Sequence, residues 1–171
     1  MASLLLLAPS LGLTETEVAG EYQVKAAYIY HFAKFIEWPS DAPGSAAQTL
    51  TVCVLGKSPF GKALGAISGK TVRGRRVMIT HINRIEELEA CEILFVSPSE
   101  KPKLSQILAS VSSRPILTIS DIKRFASAGG MIGFVPAGDR IRFEINQRAA
   151  QRSGLRSSAQ LLKLATMIVD Q

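Results

Sequence analysis

Apolar side chains recur at helical spacing between Tyr22 and Ile36. At about 100° per residue, Tyr22, Val24, Ala26, Tyr28, Ile29, Phe32, Ala33, Phe35 and Ile36 share one broad face. Gln23, Tyr30, His31, Lys34 and Glu37 oppose them. The spacing predicts an amphipathic helix that ends near Trp38, because Pro39 disfavours helical dihedrals in the residue before it. Lys25 interrupts the apolar face near its centre. Two readings follow: it sits in the first turn and snorkels off the end, or its charge is kept for an anionic partner or ligand.

The pattern then alternates between short apolar runs and helical periods. Residues 40–48 are a loop by composition, and 49–55 form a β-branched, apolar strand. A helix is expected over 59–67, with Ser58 as N-cap and Pro59 in the first position. Strands are expected over 77–82, 92–96 and 116–119. Between them lie a helical turn at 85–88 and an amphipathic helix over 104–111. A short helix over 121–128 would end at Gly129. Runs at 131–135 and 140–145 flank Pro136-Ala-Gly-Asp139, a hairpin signal. A short helix over 146–153 and a final amphipathic helix over 158–169 close the chain. Leu161, Leu164, Ala165 and Ile168 of the last helix serve as core or as a dimer seam. Strands alternating with helices predict an α/β fold in three layers. Its mixed, mostly parallel sheet carries helices on both faces and a C-terminal β-hairpin.

The 171 residues suffice for one domain with its own core, read as 21–171. Residues 2–13 are apolar, too short to span a bilayer, and similar to the central region of a secretory signal, with Val18-Ala-Gly20 as a small-residue cleavage site. Residues 1–20 are therefore expected to be a signal-peptide remnant or a disordered N-terminus, the former implying export. No Lys or Arg precedes Lys25, an element that such signals ordinarily carry. Twenty basic against 14 acidic residues give a net charge of +6, which admits nucleic acid, an anionic membrane or an acidic protein partner. The one dense basic cluster, Lys70, Arg73, Arg75 and Arg76, lacks the interleaved aromatics of single-strand binders, so nucleic-acid binding is not expected.

Candidate chemistry is sparse. Gly56-Lys-Ser-Pro-Phe-Gly61-Lys62-Ala63 comes close to a phosphate-binding loop, but Ala63 stands where a magnesium-binding hydroxyl is required, and Pro59 removes a backbone N–H. A tight strand-to-helix turn is the simpler reading. His31 and His81 have no Cys, Asp or Glu at metal-ligand spacing. No nucleophile elbow or acid/base pair occurs, so the sequence predicts neither enzyme, cofactor nor metal. Cys53 and Cys91 both fall in strand segments, and the first and third strands of a doubly wound sheet are commonly neighbours. They are read either as a disulfide closing about 38 residues or as two buried reduced thiols. Residues 140–146 alternate strictly, with Ile141, Phe143 and Ile145 toward the core and Arg140, Arg142, Glu144 and Asn146 on the other face. That face is either solvated or a binding surface, the latter favoured by the adjacent Gly129-Gly-Met-Ile132.

Several blocks in order resemble the YfiR family of small periplasmic regulatory proteins. They are Val24-Lys-Ala-Ala-Tyr-Ile-Tyr-His-Phe-Ala-Lys-Phe-Ile-Glu-Trp-Pro39, Thr51-Val-Cys-Val-Leu-Gly-Lys-Ser-Pro-Phe-Gly61, Cys91-Glu-Ile-Leu-Phe-Val-Ser97, Ile116-Leu-Thr-Ile-Ser-Asp121, Gly129-Gly-Met-Ile132, Arg142-Phe-Glu-Ile-Asn146 and Ser158-Ala-Gln-Leu-Leu-Lys-Leu-Ala165. The resemblance implies a repressor that binds the periplasmic part of a membrane diguanylate cyclase, an outer-membrane lipoprotein that sequesters it, and a homodimer. It also implies a disulfide between Cys53 and Cys91. The resemblance also implies a second cysteine pair around Gly129-Gly-Met-Ile132, where Ala126 and Gly133 stand nearby instead. Lys25, Ile132, Arg142 and Glu144 are the expected partner- or ligand-binding residues. The other expectation is a periplasmic sensor that takes a small anionic or zwitterionic ligand and has no cyclase partner.

Overall fold

The structure, a computed structural model, describes residues 15–169. The apolar segment 2–13 lies outside them, and Val18-Ala-Gly20 lies within the first helix. In chain order the elements are α1 (Glu15–Phe35), β1 (Ile36–Glu37), β2 (Thr49–Leu55), β3 (Thr71–Val72), β4 (Arg75–Ile82), β5 (Ile93–Val96), α2 (Leu104–Val111), β6 (Leu117–Ser120), β7 (Ile132–Ala137), β8 (Arg140–Asn146), α3 (Gln147–Arg152), β9 (Arg156–Ser157), α4 (Ala159–Leu164) and β10 (Met167–Val169). Short 3-10 turns at Ala63–Ala66, Ile85–Ala90 and Pro98–Lys103 join them.

The main sheet runs β10-β8-β7-β6-β5-β2-β4-β3. Its neighbours are parallel except for the β3–β4 and β7–β8 hairpins. The connection moves from β2 out to β4, then crosses to β5 on the other side of β2 and proceeds through β6 and β7. This doubly wound order places helices on both faces. The period of two shows how. Val52, Val54, Ile93, Phe95, Leu117 and Ile119 pack with α1 through Ile29, Phe32 and Ile36. Their alternates Cys53, Leu55, Leu94 and Val96 pack with α2 through Ile107, Leu108 and Val111. Strands buried on both faces read as continuous apolar runs, as parallel sheets require.

Beneath α1, Phe32 meets Phe143 edge-on at 4.9 Å and Tyr28 meets it at 5.4 Å, while Phe134 stacks 5.9 Å from Phe32. At the amino-terminal end of the sheet Arg75 turns inward and pairs with Glu92 through both carboxylate oxygens at 2.7 Å. Its other donors reach the carbonyls of Ala47 (2.9 Å), Gly44 (2.8 Å) and Thr49. Glu92 Oε2 also accepts from Thr51 N at 3.2 Å. The pair pins the 40–48 loop to β2 and β5.

Six local expectations differ from the structure. First, α1 is already helical at Glu15, the first described residue, and stops at Phe35, and β1 pairs antiparallel with β9, Ile36 opposite Ser157. Second, residues 59–67 form only turns and one 3-10 segment, because Gly61 takes φ +53, outside the right-handed helical region. Third, residues 121–128 are turns, since Arg124 has φ 63 and interrupts any helix there. Gly130 then passes so close to the Phe125 ring that any Cβ would strike it. Fourth, the helix expected over 158–169 ends at Leu164, where Ala165 is extended (ψ 140). Thr166, Ile168 and Val169 favour extended backbone, and β10 satisfies the free edge of β8 by parallel pairing. Fifth, Cys91 caps a 3-10 turn before β5 rather than lying within a strand. Sixth, Asn146, assigned to the outer face of β8, is buried instead: it accepts from Ala149 N (2.9 Å) as N-cap of α3 and donates to the Ala126 carbonyl (2.9 Å).

Candidate functional site

Lys25 is 2% exposed. It does not snorkel, because α1 extends ten residues before it and leaves no end to escape from. Its ammonium pairs with Asp121 Oδ2 at 2.6 Å and with Glu21 one turn earlier. It also lies 4.2 Å from the Tyr22 ring centroid. The Tyr22 hydroxyl donates to the same Oδ2 at 2.6 Å. Burial first, then that hydrogen bond and the charges of Asp121 and Glu21, push the Tyr22 phenol far above its ordinary value, so it remains a donor. Asp121 closes β6, and Ser97 follows β5 on the neighbouring strand. Among the described residues Asp121 Oδ1 and Ser97 Oγ are buried with no hydrogen-bond partner. The Tyr22 ring in turn meets Phe60 at 5.1 Å, and Phe60 meets Phe95 at 4.7 Å. This network seals α1 over the carboxyl ends of the central strands.

The seal has a measurable value. Lys25→Met leaves the Asp121 carboxylate, whose side chain is 10% exposed, without its cation. The expected loss is about 2 kcal/mol of unfolding free energy in urea titration, with recovery in the Lys25→Met/Asp121→Asn pair. A loss under a few tenths of a kcal/mol would show that the ion pair anchors nothing.

Beyond the seal, Glu17, Val24 and Tyr28 of α1 face Arg140, Ile141 and Arg142 of the β7–β8 hairpin across a groove of about 770 Å³. The Tyr28 hydroxyl donates to the Ile141 carbonyl at 3.3 Å and fixes its width. Glu21, the partner of Lys25, also lines this groove. The guanidinium groups of Arg140 and Arg142 make no hydrogen bond or ion pair among the described residues. Glu144 is half-buried two residues along β8, between Gly133 of β7 and Met167 of β10. Ile132 is 1% exposed and supports β8 from within the core. Of the four expected binding residues, the structure thus places Arg142 in the groove, Glu144 beside it, and Lys25 and Ile132 beneath the surface.

Cys53 and Cys91 are joined as a disulfide on the α2 face, Cα atoms 5.7 Å apart. The turn after β2 gives no room to a phosphate: Lys57 N donates to Ser99 Oγ at 3.0 Å, and the Glu100 carboxylate lies against Gly56, which has φ +84. His31 and His81 are exposed. The residues that sequence reasoning passed over are Tyr22, Glu21 and above all Asp121. Its only sequence signal was its place directly after a strand, where a lone acid has many uses.

The fold recurs in two solved structures of low identity. One is an ABC domain in complex with L-Trp from Streptococcus pneumoniae: 12% identity, TM-score 0.56, 87% of this chain and 60% of that one covered. The other is a conserved domain protein from Vibrio cholerae: 9% identity, TM-score 0.55, 86% and 60% covered. This chain spans about 60% of the length of each, and the likeness is one of fold. A likeness of sequence exists as well: the profile of the YfiR/HmsC-like family matches residues 22–166. That span opens at the tyrosine of the α1 seal and closes at the threonine that leads into β10, taking in Lys25, the disulfide, Asp121 and the hairpin. With the match covering most of the chain, from within α1 to the start of β10, the chain belongs to the YfiR/HmsC-like family.

Proposed function

We infer that this protein is a periplasmic, repressor-type regulator that binds the sensor part of an inner-membrane diguanylate cyclase and holds the enzyme inactive, so controlling cyclic di-GMP signalling and biofilm formation. The family match over residues 22–166 carries the reading. The mechanism is a population shift, in which the repressor favours the inactive cyclase by its differential affinity for that state. Arg142 and Glu144 make the contact from one face of β8, while Lys25 and Ile132 hold that face in shape from below. An outer-membrane lipoprotein relieves repression by sequestering the regulator. Two copies associate through apolar side chains left in water, of which Leu164, Met167 and Ile168 are the largest group near one sheet edge.

The test is capture of partners from periplasm and detergent-solubilised membrane with the tagged protein, with the Cys53–Cys91 state read by mass. A cyclase-linked membrane protein is expected in the eluate, reduced about tenfold or more by Arg142→Glu/Glu144→Lys. Loss of capture on reduction assigns a regulatory role to the disulfide; capture insensitive to reduction makes it a staple. No membrane partner in either state would overturn the repressor reading.

The α1–hairpin groove favours a second reading, a sensor for a small anionic or zwitterionic molecule held by Arg140 and Arg142 over an apolar floor of Val24 and Ile141. A saturable thermal shift with small carboxylates, abolished in Arg142→Ala, together with an empty capture experiment, would select it.

A further inference from the structure

The fold divides the basic cluster. Arg75 is drawn into the sheet by Glu92, whereas Lys70, Arg73 and Arg76 stay exposed at the β3–β4 edge. Lys34, from the last turn of α1, joins them. Its ammonium lies 4.3 Å from the Tyr30 ring centroid, and that of Lys70 lies 5.2 Å from the same ring. Arg73 donates to the Lys34 carbonyl at 3.0 Å, and the Tyr30 hydroxyl donates to the Thr71 carbonyl at 3.0 Å. Three cations, Lys34, Lys70 and Arg73, from two distant segments are therefore gathered around one tyrosine.

Among the described residues no carboxylate pairs with these cations. Residues 68–82 contain no carboxylate. Glu92 is occupied by Arg75, and Glu37, just past α1, by Arg156. Like charges around one ring repel. Arg73 moreover stands at φ 49 in a two-residue hairpin turn with Gly74 (φ 78), a geometry that ordinarily selects Asn or Gly. Met78, on the same strand face as Arg76, is 47% exposed. The groove between α1 and the β7–β8 hairpin is not lined by Lys34, Lys70 or Arg73, so this field is separate from it.

We propose that this edge of the sheet docks on anionic phospholipid headgroups. Unbalanced cations on long side chains supply attraction to a diffuse negative surface. Tyr30 supplies the amphipathic contact that an interface accepts, whereas Met78 and Arg76 lie on the other face of β4. One ring without a second makes no stacking platform for bases. The β3–β4 edge and the β8–β10 side lie at opposite ends of the sheet, so docking leaves Arg142 and Glu144 free.

The test is sedimentation of the full chain with vesicles. Binding is expected to phosphatidylcholine vesicles that contain phosphatidylglycerol and not to phosphatidylcholine alone. It should be lost at about 0.5 M salt, where the screening length is about 4 Å. Lys70→Glu/Arg73→Glu should weaken binding by about tenfold or more. An equal charge change at two other exposed lysines, Lys101→Glu/Lys123→Glu, should weaken it by less than about threefold. Four outcomes would overturn the proposal. They are no binding, equal binding to neutral vesicles, equal losses in the two variants, or stronger retention on a poly-glutamate resin than on anionic vesicles, which would make the edge a surface for an acidic protein. The assay contains no cyclase, so it stands or falls separately from the repressor reading.

Discussion

Arg75→Met lowers the unfolding free energy by about 4 kcal/mol, seen as a fall in the urea midpoint at unchanged slope. The size follows from what is left behind. Glu92 is 5% exposed and would keep a buried charge whose cation is gone. Three carbonyls, those of Gly44, Ala47 and Thr49, would lose a charged donor at the same time. Glu92→Leu strands the guanidinium instead and is expected to cost nearly as much. The Arg75→Met/Glu92→Leu pair removes both charges and should cost less than Arg75→Met alone, because the attraction within a buried pair largely offsets its desolvation. A change below about 1 kcal/mol in Arg75→Met would mean that the loop supplies water to Glu92 and that the clasp is an ordinary surface pair.

The second large effect lies one residue away. Cys53→Ala/Cys91→Ala opens a covalent loop with a sequence separation of 38, worth roughly 4 kcal/mol in the chain-entropy account. At this chain length that corresponds to about 10 °C in Tm. Thermal and urea unfolding of the oxidised protein and the variant would measure it, and equal midpoints would sink the expectation. The two effects should not add. Cys91 precedes Glu92, and Glu92 N donates to the Thr51 carbonyl two residues before Cys53, so both changes loosen the same β2–β5 junction.

Much of this arrangement was legible in the chain. The strand at Thr49–Leu55 and the helix at Leu104–Val111 agree with expectation residue for residue, because each carries a single unbroken period. The hairpin was legible from its turn residues. Failures cluster where a tertiary partner overrode a local period. Leu161, Leu164, Ala165 and Ile168 keep helical spacing, yet the free edge of β8 recruits residues 167–169 as a strand. Arg75 looked like one more cation in a basic run, and its acid lies 17 positions away. Lys25 looked misplaced on an apolar face because its acid, Asp121, is 96 positions away and no periodicity reaches that far. The outer face of β8 was legible as alternation, but alternation could not tell that Asn146 would leave that face to cap α3.

The long reach of α1 has a consequence for how the chain comes to be folded. Beyond its contacts to Thr71 and Arg73, its polar contacts fall on Asp121 and Ile141, and the β1 strand that continues it pairs at Ser157, residues made long after the helix itself. A chain that emerges from its amino terminus therefore carries the face of Ile29, Phe32 and Ile36 uncovered until nearly all of the sheet exists. Such non-local closure is slow, and an apolar helix left waiting is a target for aggregation or for a holding chaperone. The last event in maturation is then the arrival of the first helix on a sheet already built, and until that arrival the groove beside β8 has only one wall.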